Sequence, residues 1–157
     1  MKLLYLWVND RDRFKDFSLN FNSAYKFSLS HSGQSYELKC LMTGDAIPEG
    51  FFNVGDCKCV DDVSVVVGKN ASGKTSVARF IQGIRANEDA TAKFDYVIVY
   101  EIDCIWHIQW YVEPNVDDAG EASLSLPSRP LCVRDIKECR GGGNCHRNMA
   151  LWDFEFA

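Results

Sequence analysis

No stretch of this chain approaches the roughly 20 consecutive apolar residues of a membrane-spanning helix, so no spanning helix is expected. Positive charge is not in excess. Seventeen Lys and Arg against 22 Asp and Glu give a net charge of -5, which argues against an overall basic nucleic-acid binder and leaves only local basic patches. The opening Met1–Val8 is too short for a signal-peptide core and runs directly into Asn9-Asp10-Arg11-Asp12, so it reads as a first strand. Without an export signal, the seven cysteines are expected to be reduced thiols of a cytoplasmic protein. Cys57-Lys58-Cys59 has no second pair at zinc-finger spacing, and no internal repeat is visible.

What is present centres on residues 63–80. The apolar run Val63–Val67 is expected to be a strand, and Val77, Ala78, Ile81 and Ile84 line one face of a helix ending near Ala86-Asn87. Between them stand Gly68, Lys69, Asn70, Ala71, Ser72, Gly73, Lys74 and Thr75, followed by Ser76. This is the Gly-x-x-x-x-Gly-Lys-Ser/Thr phosphate-binding loop, or Walker A motif. Glycine at 68 and 73 tolerates backbone angles that let main-chain N–H groups curl around a phosphate. The helix N-terminus points at the same anion, Lys74 brings a mobile positive charge, and Thr75 offers a hydroxyl to Mg²⁺. ATP with Mg²⁺ is the expected ligand.

The flanking chain reads mostly as β. Residues 3–8, 17–21, 25–29 and 36–41 are strand candidates, with His31-Ser32-Gly33-Gln34 as a turn. Residues 43–62, punctuated by Gly44, Pro48, Gly50 and Gly55, form a connection whose Phe51-Phe52 pair is expected to pack in the core. Phe94–Tyr100 and Ile105–Val112 form a hairpin across a short connection. Residues 113–130 read as loop, 131–139 as a helical turn or two, and Leu151–Phe156 as a final strand. The strand aromatics and His107 are expected to be wholly or partly buried.

The loop Gly68–Thr75 resembles the Gly-x-Asn-Gly-Ser-Gly-Lys-Ser/Thr form of ABC-type ATPases, with Ala71 in place of the usual glycine. Leu3–Phe21, with its turn Asn9-Asp10-Arg11-Asp12-Arg13-Phe14-Lys15, resembles the opening of SMC- and RecF-like ATPase heads of the AAA family. The resemblance covers residues 1 to about 112 and implies an α/β P-loop NTPase fold. That fold would be an N-terminal lobe, antiparallel hairpins around one P-loop helix, with a separate Cys/Arg/Gly-containing tail over 113–157. It implies Arg13 and Lys15 as further phosphate contacts, an ATP-gated head-to-head homodimer, and DNA as a partner in repair or anti-phage defence. No Leu-Ser-Gly-Gly-like signature, Asp-Glu-terminated Walker B strand or switch His is present, so hydrolysis is expected to be weak or absent. Glu101 and Asp103, ending an apolar run, are the nearest candidates for a catalytic carboxylate.

Two other readings stand beside this one. A small P-loop kinase would use Glu101 or Asp103 to activate its acceptor and the basic tail (Arg129, Arg134, Lys137, Arg140, Arg147) as a lid. A non-enzymatic nucleotide- or zinc-binding module would take Cys132, Cys139, Cys145 and His146 as zinc ligands.

Overall fold

The computed structural model describes residues 2–9, 14–44, 47–48, 51–52, 63–70, 72–86, 95–112 and 122–140, the side chains of 82–86, 139 and 140 excepted. In chain order the elements are β1 (Lys2–Asn9), β2 (Phe17–Asn20), β3 (Tyr25–Ser32), β4 (Ser35–Met42), α1 (Lys74–Ala86), β5 (Asp95–Ile102), β6 (Ile105–Tyr111), β7 (Ser123–Ser125) and β8 (Asp135–Arg140). They build a five-stranded sheet, β2-β1-β5-β6-β8, and a three-stranded sheet, β3-β4-β7.

The small sheet packs on one face of the large one. Leu4, Tyr5, Trp7, Val97, Val99, Trp106, Ile108 and Trp110 meet Phe27, Tyr36 and Leu38 there, all buried. On the other face, Val77 and Ile81 of α1 pack against Leu6, Val8, Tyr96, Ile98 and Tyr100. Strand alternation assigns the two faces, with one irregularity. The β1–β5 register shifts between Leu3 and Tyr5, a bulge that lets both Leu4 and Tyr5 face the small sheet.

Both tight hairpins follow from turn chemistry. Gly33-Gln34 joins β3 to β4, with Gly33 at φ 56° in the first central position. Asp103-Cys104 joins β5 to β6 with both residues at positive φ, 51° and 59°, as a two-residue turn matching the strand twist requires. His31, expected in a turn, lies inside β3 opposite Tyr36.

The expected α/β P-loop NTPase fold is overturned. Eight strands in two mixed sheets and one helix make the described chain predominantly β, with no parallel sheet wound around a P-loop helix. The decisive difference lies at Val63–Val67. These residues form no strand, and no backbone hydrogen bond joins them to another described residue. Val65 and Val67 are 75% and 83% exposed. The centre of the large sheet is taken instead by the antiparallel β1–β5 pair. β-branched composition suits a pleated surface, but composition alone does not place a segment in a sheet, and the interior positions beside β1 are filled by β2 and β5.

Three further expectations are corrected. Phe51 is 68% exposed and packs edge-to-face on Phe52 rather than in the core. Within 131–139, expected to form a helical turn or two, the chain instead enters β8 at Asp135, parallel to β6, with Trp110 Nε1 donating 2.8 Å to Glu138 Oε1. Ser123–Ser125, expected to be loop, pair parallel with β4 as β7. Residues 122–140 therefore complete the same two sheets. Cys57, Cys59 and the expected strand 151–156 lie outside the described residues.

Candidate functional site

The helix half of the motif is present. α1 begins at Lys74, and Val77 N donates 3.0 Å to Gly73 O, its first turn. That turn carries no acidic residue. A lysine at an acid-free helix N-terminus is electrostatically unfavourable, because the helix dipole is already positive there. Such a local conflict marks a position held for something other than helix stability.

The loop before it is tight. Ser72 N donates 3.2 Å to Lys69 O. Lys74 Nζ reaches back to the carbonyl oxygens of Gly68 at 2.7 Å and Lys69 at 2.8 Å. The ammonium thus spans the concave side of the loop. Both glycines have close neighbours. A Cβ at Gly68 would lie 2.5 Å from Ser72 Oγ. Gly73 has φ 95°, and a Cβ there would lie 2.4 Å from Phe14 Cζ. Asn70 and Thr75 are exposed, and Ser76 is half-buried. Ala71 and Arg13 lie outside the described residues, and Lys15 is exposed in the turn before β2.

An open groove of about 500 Å³ is lined by Leu19–Ser23, Ile47 and Val63–Val67, the segment that precedes the loop in the chain. Ser64 Oγ donates 2.7 Å to Phe21 O, tying the extended segment to the end of β2.

The candidate carboxylates are not brought to the loop. Phe14, against Gly73, is two residues from Asp16, whose N–H donates 3.3 Å to Asn9 Oδ1, and Asn9 pairs with Asp95 at the start of β5. The loop therefore stands at the Asn9–Asp95 end of the sheet. Glu101 pairs with Lys2 at the other end, six residues along β5, or about 20 Å away. There Glu101 Oε2 accepts 3.1 Å from Trp106 Nε1, and Asp103 forms the hairpin tip. Two acids described near the loop end are otherwise engaged. Asp16 Oδ1 accepts 2.7 Å from Trp7 Nε1, and Asp95 Oδ2 accepts 3.4 Å from Asn9 Nδ2.

Cys132 is exposed with Sγ 2.9 Å from the Tyr25 hydroxyl, Cys139 stands on β8, and Cys145 and His146 lie outside the described residues. Among the described residues, no group of three His, Cys, Asp or Glu is placed to hold a metal ion. Cys40, half-buried near Cys132, has its thiol pushed up to about 11 by burial and then by that neighbour. Burial, and then the Cys132 thiol, raise Tyr25 above the usual phenol range. His107 is half-buried in β6, as expected, stacked on Tyr100 at 5.0 Å. Burial first, and Lys137 second, hold it below its ordinary value.

Sequence reasoning passed over Phe14, whose ring abuts the loop. It is an aromatic inside a charged turn, with no periodic pattern to mark it. The only available signal was its place in the stretch Arg13-Phe14-Lys15, which resemblance had singled out for its charges.

The chain matches no protein-family model, no curated protein and no solved structure. Among the described residues, no helix is long and apolar enough to cross a membrane.

Proposed function

We propose that this chain binds the phosphates of a nucleotide, ATP as its Mg²⁺ complex, through the loop Gly68–Thr75, with weak or absent hydrolysis. One observation carries the reading: the Lys74 ammonium is folded onto the carbonyls of Gly68 and Lys69, at the N-terminus of a helix with no acid in its first turn. Phosphate oxygens would replace those carbonyls as partners of the ammonium and would meet the free N–H groups of the helix start. Charge-assisted bonds to phosphate are stronger than the neutral-acceptor bonds that they replace. Gly68 and Gly73 keep the concave side clear of Cβ atoms, and the Thr75 hydroxyl is exposed where a magnesium ion would share the outer phosphates. The ion would supply charge neutralisation and orientation. The groove along Val63–Val67 offers apolar walls for the nucleoside half.

Hydrolysis and phosphoryl transfer both need a group to orient the nucleophile. Glu101 and Asp103 stand at the far end of the sheet, and this favours binding over turnover. The test is Mg-ATP binding by calorimetry and turnover by phosphate release on the full chain, with Lys74→Ala beside it. Binding that disappears in the variant, without turnover, is the expected result. Absence of binding by the unaltered chain would overturn the reading.

A further inference from the structure

We infer that Phe14 is a positioning residue for the phosphate loop, acting through Gly73. This inference rests on the phosphate reading of that loop. The ring meets Gly73 so closely that a Cβ there would fall 2.4 Å from Cζ and 3.0 Å from Cε1. The ring tip, rather than its face, is therefore the contact. Phe14 is itself fixed from two sides. Its centroid is 4.8 Å from Phe17, at the start of β2, and 5.5 Å, edge-to-face, from Phe80 on α1. Leu19, Phe21 and the buried Val77 and Ile81 extend the same cluster.

Gly73 has φ 95°, a region that glycine reaches freely but that nothing in the glycine itself selects over the alternatives. It is followed directly by Lys74, whose ammonium closes the loop, and its carbonyl accepts the first helical bond from Val77. A rotation at Gly73 would therefore swing the N–H groups of Lys74 and Thr75 together with the lysine stem. The ring tip occupies the space into which Gly73 would relax. The N-terminal turn thus sets the loop geometry by steric support, without touching a phosphate.

This geometry reverses an ordinary expectation. Phe→Tyr is a mild change at a half-exposed site, but a hydroxyl added at Cζ of residue 14 points into Gly73. The experiment compares Phe14→Tyr with Phe17→Tyr, a ring in the same cluster whose atoms are not among the nearest to a Gly73 Cβ. Backbone amide spectra of the ligand-free proteins, thermal midpoints, and affinity for inorganic tripolyphosphate are measured on the full chain. In Phe14→Tyr, the amides of Gly73, Lys74 and Thr75 are expected to shift and tripolyphosphate binding to weaken about tenfold or more. In Phe17→Tyr, both are expected to match the unaltered chain. A Phe14→Leu variant, which withdraws the ring tip without adding an atom, is expected to move the same amides. Unmoved loop amides in both Phe14 variants would overturn the inference. So would equal effects of the changes at positions 14 and 17. If the unaltered chain fails to bind tripolyphosphate, the phosphate reading falls, while the amide comparison still decides the role of Phe14.

Discussion

The Lys74 ammonium donates a 2.7 Å hydrogen bond to the carbonyl oxygen of Gly68, so the positive group of the motif closes the loop that it belongs to. The partner oxygens belong to exposed residues, where water is a ready substitute. Lys74→Ala is therefore expected to abolish Mg-ATP binding while changing stability by less than about 0.5 kcal/mol, read from urea midpoints. A large loss of stability would mean that the lysine is structural.

Trp106 is fully buried between the sheets, edge-to-face with Tyr25 at 5.0 Å and tilted against Phe27 at 5.1 Å. Its indole N–H also satisfies Glu101. Trp106→Ala is expected to cost about 3–5 kcal/mol, measured by chemical unfolding. Glu101→Gln keeps an acceptor for that N–H and is expected to leave both stability and nucleotide affinity nearly unchanged. Loss of nucleotide affinity in Glu101→Gln would return that carboxylate to the site.

His107 supplies a pH dependence whose direction is fixed by its surroundings. Burial, and secondarily Lys137, lower its affinity for protons below the ordinary 6.5 of the unfolded chain. The unfolded state then binds more protons than the native one as pH falls below 6.5, so native stability drops in that range. Above the ordinary value the imidazole is neutral in both states and the penalty vanishes. Urea midpoints between about pH 5 and 7.5 should fall on acidification less steeply in His107→Gln than in the unaltered chain. Identical slopes would remove His107 from the account.

The cysteines should differ in reactivity. Cys40 is half-buried and its thiol is pushed up to about 11, whereas Cys104 and Cys132 are exposed. Because the thiolate is the reacting species, iodoacetamide at about pH 8 should modify Cys104 and Cys132 well before Cys40. Site-resolved mass spectrometry gives the three rates. A Cys40 rate equal to that of Cys104 would contradict the packing of β4 against the large sheet.

Much of the β framework was legible because its signals are local. Phe17, Leu19, Tyr36 and Leu38 alternate with polar neighbours, and Asp103-Cys104 between two apolar runs marks a hairpin. The apolar face of α1, with Val77 and Ile81 buried, also followed from its pattern. Residues 135–140 were not legible. Among the described side chains of edge strand β8, Ile136 alone packs against the core cluster, and one apolar residue carries no period. Val63–Val67 failed in the opposite sense. Four valines around Ser64 gave a strong strand signal, yet the strand did not form.

The sequence by itself determined β1 to β6, α1, the hairpin turns and the composition of the phosphate loop, because propensity, alternation and glycine placement act over a few residues. Only the tertiary structure decided which strands pair, that β1 and β5 rather than Val63–Val67 hold the centre, and that Glu101 stands far from Lys74. It alone brought Phe14 against Gly73. Pairing and approach of this kind depend on contacts between residues distant in the chain, where edges, volumes and packing partners compete, and no local pattern records the outcome.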